Sequence, residues 1–240
     1  MSDSFLLAME ARRADAARGV PCIISKSVST HDLLAQLRGT LVLNQPRSWR
    51  LEVASSSCAD AGLGVFLRGH CPDGTAVALY PGVAYLADDL PVMHKLILPG
   101  NSYVLARRDG VLLDGNMSGA SRQIFDTAVQ RDLIRAGRGQ QADVLQHELA
   151  VGNMVNHPPA GMRPNVSAAP LDLWETEHAE LIRHIPTVNF RPPSGGAPSK
   201  QTAVLVAKRV LRDEELLLNY RFNPRGPLEK WYTPVDSATS

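Results

Sequence analysis

Residues 149–157 read LAVGNMVNH and residues 211–220 read LRDEELLLNY, with Arg163-Pro164-Asn165-Val166 between them. Both segments set polar side chains beside a short apolar run. A buried carboxamide at Asn156 has to find hydrogen-bond partners, and a bound ligand could supply them. His157 stands just before Pro158-Pro159, where a satisfied, half-buried histidine is the plain reading. Tyr220 closes the apolar run 216–218, as many tyrosines close a buried strand.

Upstream, Gly62-Leu63-Gly64-Val65-Phe66 places two glycines around one residue, just ahead of a β-like run. Glycine permits a tight turn and close backbone approach to a ligand, although a simple loop-to-strand turn has the same composition. The third glycine and following helix of a dinucleotide-binding fingerprint are absent. Short β-like runs are expected at 49–54 and 202–206, and at 65–67, 76–80, 103–106 and 111–113, these last four bounded by Gly, Pro or Asp. With so few helices between them, these runs suggest small antiparallel sheets. Helical periodicity predicts helices over 3–18, from a Thr30 cap to about Arg38 with Gly39 closing it, over 119–138, and over 143–151. Residues 191–200 form a Pro/Gly/Ser loop, and 223–240 read as a tail with an aromatic pair at Trp231 and Tyr232.

The chain has 240 residues, 44% hydrophobic and 20% charged, in the ordinary range of a folded domain. Its 25 lysines and arginines against 24 aspartates and glutamates leave a net charge of +1. That balance argues against direct nucleic-acid or anionic-membrane binding. The longest apolar stretches, such as 203–207, fall far short of a bilayer span. Asp3, Glu10 and Asp15 argue against reading Arg12, Arg13 and Arg18 as a transit peptide. Three cysteines, Cys22, Cys58 and Cys71, suit a reducing, intracellular setting, nucleus or cytoplasm, and lie at no zinc-ligand spacing. Arg107-Arg108 and Lys208-Arg209 read as solvated strand ends. Asp172, Glu175, Glu177 and Glu180 read as the wet face of a short helix, or else as a lure for basic substrate residues.

Taken in order, the Gly-Leu-Gly loop, the Asn-His and Pro-Asn pair and the Glu-Glu-Leu ending in Tyr resemble the motifs of the SET-domain protein lysine methyltransferases. Tyr80-Pro81-Gly82 and the run from Asp109 to Asn116 resemble connecting pieces of that family, and the likeness is greatest to the SET domain-containing protein 9 group. It covers about residues 50–222. The resemblance implies a mainly β SET-domain fold with helical insertions, small antiparallel sheets and a pseudoknot at the active site. Its divisions would be an N-terminal helical extension at 1–49, the SET domain at 50–222 with a helical insert at about 117–150, and the tail from 223. It also implies S-adenosyl-L-methionine as cofactor, a protein bearing a target lysine as substrate, and no metal.

The implied roles place Tyr220 at the methyl-transfer site, as an orienting hydrogen-bond group or a proton acceptor. Gly62, Leu63 and Gly64 would present backbone to the methionine portion of the cofactor, with Asn156 and His157 beside it. Tyr80 and Tyr103 match aromatic positions lining the lysine channel, with core packing the alternative for both. Trp231 would stack on adenine or simply dock the tail. The usual arginine and phenylalanine before Asn-His are Asn153 and Met154 here, and Asn219 replaces the usual aspartate before the final tyrosine. These departures keep open a catalytically weak or inactive SET-like interaction module.

Overall fold

The computed structural model describes residues 28–136, 147–221 and 232–235. The helix expected at 3–18, Cys22 and Trp231 lie outside the described residues. Helix α1 (Thr30–Leu37) is capped by Ser29, whose hydroxyl accepts from the Asp32 amide, one residue ahead of the Thr30 cap the sequence suggested. Gly39 does not stop it: the chain runs on as a wider helical turn, Arg38–Val42. Leu33, Leu37 and Leu41 enter the main core. Gln36 fastens this helix by donating to the Gly74 carbonyl and accepting from the Ala76 amide.

Among the described residues, ten short strands make three small sheets. In the first, β1 (Trp49–Ser55) and β2 (Leu63–Cys71) form an antiparallel hairpin, with Ser55 opposite Leu63. The last strand, β10 (Leu211–Glu215), lies antiparallel on the other side of β2 and brings Glu215 opposite Phe66. The second sheet centres on β9 (Lys200–Ala207), buried from Gln201 onward, as its β-branched and apolar composition demands. It is flanked by β3 (Ala76–Leu79) and β7 (Val166–Leu173). Pro170 is tolerated because β7 is an edge strand. The third sheet has the order β5 (Val104–Ala106), β6 (Leu112–Asp114), β4 (Gly82–Tyr85), β8 (Thr187–Asn189), with β4 and β8 parallel.

Two further helices, α2 (Leu90–Leu96) and α3 (Gly119–Arg135), cover the third sheet, and Met93, Phe125, Ala128 and Val129 join Tyr85 and Val188 in a second core. The described part of the expected second helix, residues 147–151, is a series of turns leading into a 3-10 turn, Gly152–Met154. Helix α4 (Glu175–Ile182) carries three of the four acids placed on one wet face; Asp172 sits in β7. There it meets Arg107, which is not a solvated strand end. Its guanidinium is buried, donating to Asp172, to Asp109 and to the carbonyls of Leu171 and Thr202. Among the described residues no helix is long and apolar enough to cross a membrane.

Candidate functional site

The segment after β10 is threaded between two earlier stretches of chain. Leu217 bridges Asn156 on one side and Leu218 bridges Val166 on the other, both in parallel. Asn165 closes this crossing. Its amide nitrogen donates to the Glu215 carbonyl and to Glu214, and its side-chain oxygen accepts from the Leu217 amide. The Leu217 carbonyl in turn accepts from the Asn165 backbone. This side chain therefore staples the thread from both ends. The sequence marked Asn165 only as part of a motif. Such threading is rare in folds generally and is not foreseeable from composition or periodicity.

Threading delivers Tyr220 to a narrow cavity of about 20 Å³. Tyr80, Tyr103, Asn153, Val155 and Leu218 also line it. The Tyr220 hydroxyl donates to the Val155 carbonyl at 2.9 Å, and the Tyr80 hydroxyl donates to the Tyr103 carbonyl at 2.7 Å. Burial, then the neighbouring Tyr103, pushes the Tyr220 phenol well above its ordinary value. Tyr80 is raised too, by burial first and then by Tyr220. Both phenols therefore keep their protons near neutral pH. Tyr103 is 45% exposed and stands at the mouth, whereas Tyr80 is buried. Asn153 donates to the Gly115 carbonyl. The Gly152 backbone comes so close to β3 that a Cβ there would lie 2.7 Å from the Leu79 carbonyl oxygen.

His157 is buried behind Tyr220. Its Nδ1 accepts from the Tyr220 amide at 3.2 Å, and its Nε2 lies 2.8 Å from the Thr233 carbonyl. Accepting at Nδ1 places the proton on Nε2, which then donates to Thr233. Burial lowers its pKa, and the backbone hydrogen bonds oppose this only in part. The ring also stacks on Tyr232 at 4.4 Å. The plain reading of a satisfied histidine describes the side chain, and its partners join residues 232–233 to the residue that lines the cavity.

Asn156 finds its partners within the protein. Its Nδ2 lies within 3.1 Å of the Ser56 hydroxyl, the Leu63 carbonyl and Glu215. Glu215 is the centre of this cluster, and nothing in the sequence singled out its side chain. One carboxylate oxygen accepts from Ser56 Oγ and Asn156 Nδ2, the other from the Ser57 amide and hydroxyl. Burial alone would raise its pKa; hydrogen bonds from Ser57, Ser56 and Asn156 outweigh that and hold it below the ordinary value. Only glycine fits opposite, because a Cβ on Gly64 would lie 2.1 Å from Glu215 Oε1. The Gly62-Leu63-Gly64 loop is thus pinned from beneath, while Leu63 is 54% exposed and the space around Gly62 is open. The adjacent Ser-Ser-Cys run was the available signal, since three small residues before Gly62 supply hydroxyl and amide donors without side-chain bulk.

The structure thus brings Tyr80, Tyr103 and Tyr220 to one cavity, and gathers Gly62, Leu63, Gly64 and Asn156 in one loop cluster. No protein-family model matches the chain. It is similar to SET domain-containing protein 9 of Homo sapiens, 28% identical over 186 residues that cover 75% of this chain and 60% of that protein. The Pongo abelii protein of the same name is also 28% identical, with 75% and 66% covered. The chain therefore spans less than two thirds of the length of either relative. Among solved structures it overlaps an S-adenosylmethionine-bound, autoinhibited PRC2 complex (13% identity, 79% of this chain and 18% of that one, TM-score 0.40). It also overlaps the SET8 protein of Cryptosporidium (15%, 84% and 70%, TM-score 0.44). The chain's own topology is one of small, mostly antiparallel sheets around a threaded segment.

Proposed function

We propose that this chain is a SET-type, S-adenosylmethionine-dependent protein lysine N-methyltransferase. The observation that carries the reading is the convergence of Tyr80, Tyr103 and Tyr220 on a narrow cavity beside the threaded segment. The loop residues fit such a cofactor: Leu63 is exposed, Gly62 has open space, and the Asn156 amide ties the loop to the thread. Gly62, Leu63, Gly64, Asn156 and His157 would hold it. When bound, S-adenosylmethionine supplies an electrophilic methyl group on a sulfonium.

The remaining work falls to the protein. A free lysine has a pKa of about 10.4, so presenting it as a neutral amine at pH 7 costs about 4–5 kcal/mol. Aromatic walls at Tyr80, Tyr103 and Tyr220 exclude water and disfavour the charged ammonium, which lowers that cost. Carbonyls of Val155 and Tyr103, already fixed by the tyrosine hydroxyls, border the cavity and can orient the amine N–H groups. The Tyr220 hydroxyl, held by its bond to the Val155 carbonyl, would act as an orienting hydrogen-bond group. The lysine would give up its proton to solvent, and the residues that hold the neutral amine in line would supply most of the acceleration.

A second reading, a SET-like module that binds a protein without transferring a methyl group, is favoured by Asn153. It takes the place of the family's usual arginine and spends its side chain on the Gly115 carbonyl. Calorimetric titration with S-adenosylmethionine, followed by labelled-methyl transfer to a proteome extract, separates the two. Binding with transfer supports the enzyme, binding without transfer supports the module, and no binding overturns the cofactor reading. Tyr220→Phe should abolish transfer while leaving cofactor affinity within about fivefold, since one neutral hydrogen bond is at stake.

A further inference from the structure

Glu215 is 5% exposed, and no lysine, arginine or histidine forms an ion pair with it among the described residues. Other buried or half-buried charges of the chain are handled differently. Arg107 is matched by Asp109 and Asp172, Asp89 by Arg191, and the adjoining Glu214 by Arg209. Asp114, buried without a cation, has its pKa raised by burial, so it is eased towards neutrality. Glu215 goes the other way. Four neutral donors keep it ionised, and a buried ion without an opposite charge is otherwise costly.

We infer that Glu215 is a fixed counter-charge for a cationic ligand group docked on the Gly62-Leu63-Gly64 loop, and that within the proposed function this group is the α-ammonium of the methionine portion of the cofactor. The carboxylate lies against the Cα of Gly64, directly under that loop. Its lone-pair positions are already filled by Ser56, Ser57 and Asn156, so it acts through the loop as a field and not as a direct ligand. A carboxylate held this way needs no reorganisation when the ligand arrives, and its low-dielectric surroundings extend its reach. Glu215 is therefore a positioning residue.

The inference rests on the proposed cofactor, so the test separates the two. Dissociation constants are measured calorimetrically for S-adenosylhomocysteine and its desamino analogue, on wild-type protein and on Glu215→Gln, with thermal melting to confirm folding. Wild type should bind the desamino analogue about tenfold more weakly, and Glu215→Gln should shrink that gap to about threefold or less, as a pairwise charge term requires. A gap unchanged by Glu215→Gln overturns the counter-charge, because a mere loop pin would weaken both ligands alike. If Glu215→Gln does not fold, the wild-type pair decides: equal affinities overturn the inference and a tenfold gap supports it. Wild type that binds neither S-adenosylmethionine nor S-adenosylhomocysteine overturns the function reading itself.

Discussion

Replacing Gly64 with alanine should be far more damaging than a single added methyl group suggests, because Gly64 is buried at the start of β2. The new methyl carbon would stand 2.1 Å from Glu215 Oε1, 2.8 Å from Glu215 Cδ and 3.1 Å from Asn156 Nδ2. The carboxylate has to leave, and Oε1 then loses its bonds from Ser56 Oγ and Asn156 Nδ2. At about 1.5–3 kcal/mol for each hydrogen bond to a charged group, the expected loss is about 3–6 kcal/mol. Gly62 is the control: its φ is +71° but a Cβ there meets nothing, so Gly62→Ala should cost about 1–2 kcal/mol of backbone strain alone. Urea unfolding of both variants, read by tryptophan fluorescence, gives the comparison. A Gly64→Ala/Glu215→Ala double variant should be less destabilised than the sum of its singles, since the clash disappears with the carboxylate. A Gly64→Ala loss below about 1 kcal/mol, or strict additivity in the double variant, would refute the account of the pinned loop.

Stability should also fall on mild acidification. His147, His157 and His184 all titrate below the ordinary imidazole value, chiefly through burial. The unfolded chain takes up those protons near pH 6.5 while the folded chain resists. Their contribution is therefore complete above that pH and declines below it, by up to about 1.4 kcal/mol per pH unit for each histidine. Urea midpoints at pH 7.5, 6.5 and 5.5 measure this; a flat profile contradicts it. Glu215, whose pKa is lowered from 4.5, adds a further loss only at more acid pH. Arg107→Met should cost about 2–3 kcal/mol by equilibrium unfolding, less than for a pair with both ends buried, because Asp109 and Asp172 can rehydrate. A loss under about 0.5 kcal/mol would show that the guanidinium is not the tie between β7 and β9.

Periodicity and turn chemistry located β1, β3, β9 and α3 to within two or three residues, because each carries its own apolar pattern, but caught only 65–67 of the nine residues of β2. They missed β4, β8 and the strand character of 166–173. Gly82 and Thr187 open β4 and β8, three- or four-residue strands with too little pattern to register, and Pro170 argues locally against a strand. Arg107 was misread because a charged pair at a strand end gives no hint of Asp172, 65 residues away. Motif order pointed to Tyr220, Asn156 and the glycine loop. It could not reveal Glu215 as the hub, since its donors at Ser56 and Ser57 are ordinary loop residues until the fold brings them under the carboxylate.

The crossing of residues 215–218 between 156 and 166 bears on how the molecule acquires its shape. Its decisive contacts join residues 158, 59 and 52 positions apart, so little of the site can be gained from local structure. Closing such long loops before any reward arrives slows folding. The loop and the tyrosine cavity should therefore consolidate together, late, and on the same clock. Pulse-labelled amide exchange during refolding would show Leu217 and Ser57 gaining protection in one phase, after the amides of β7 and β9.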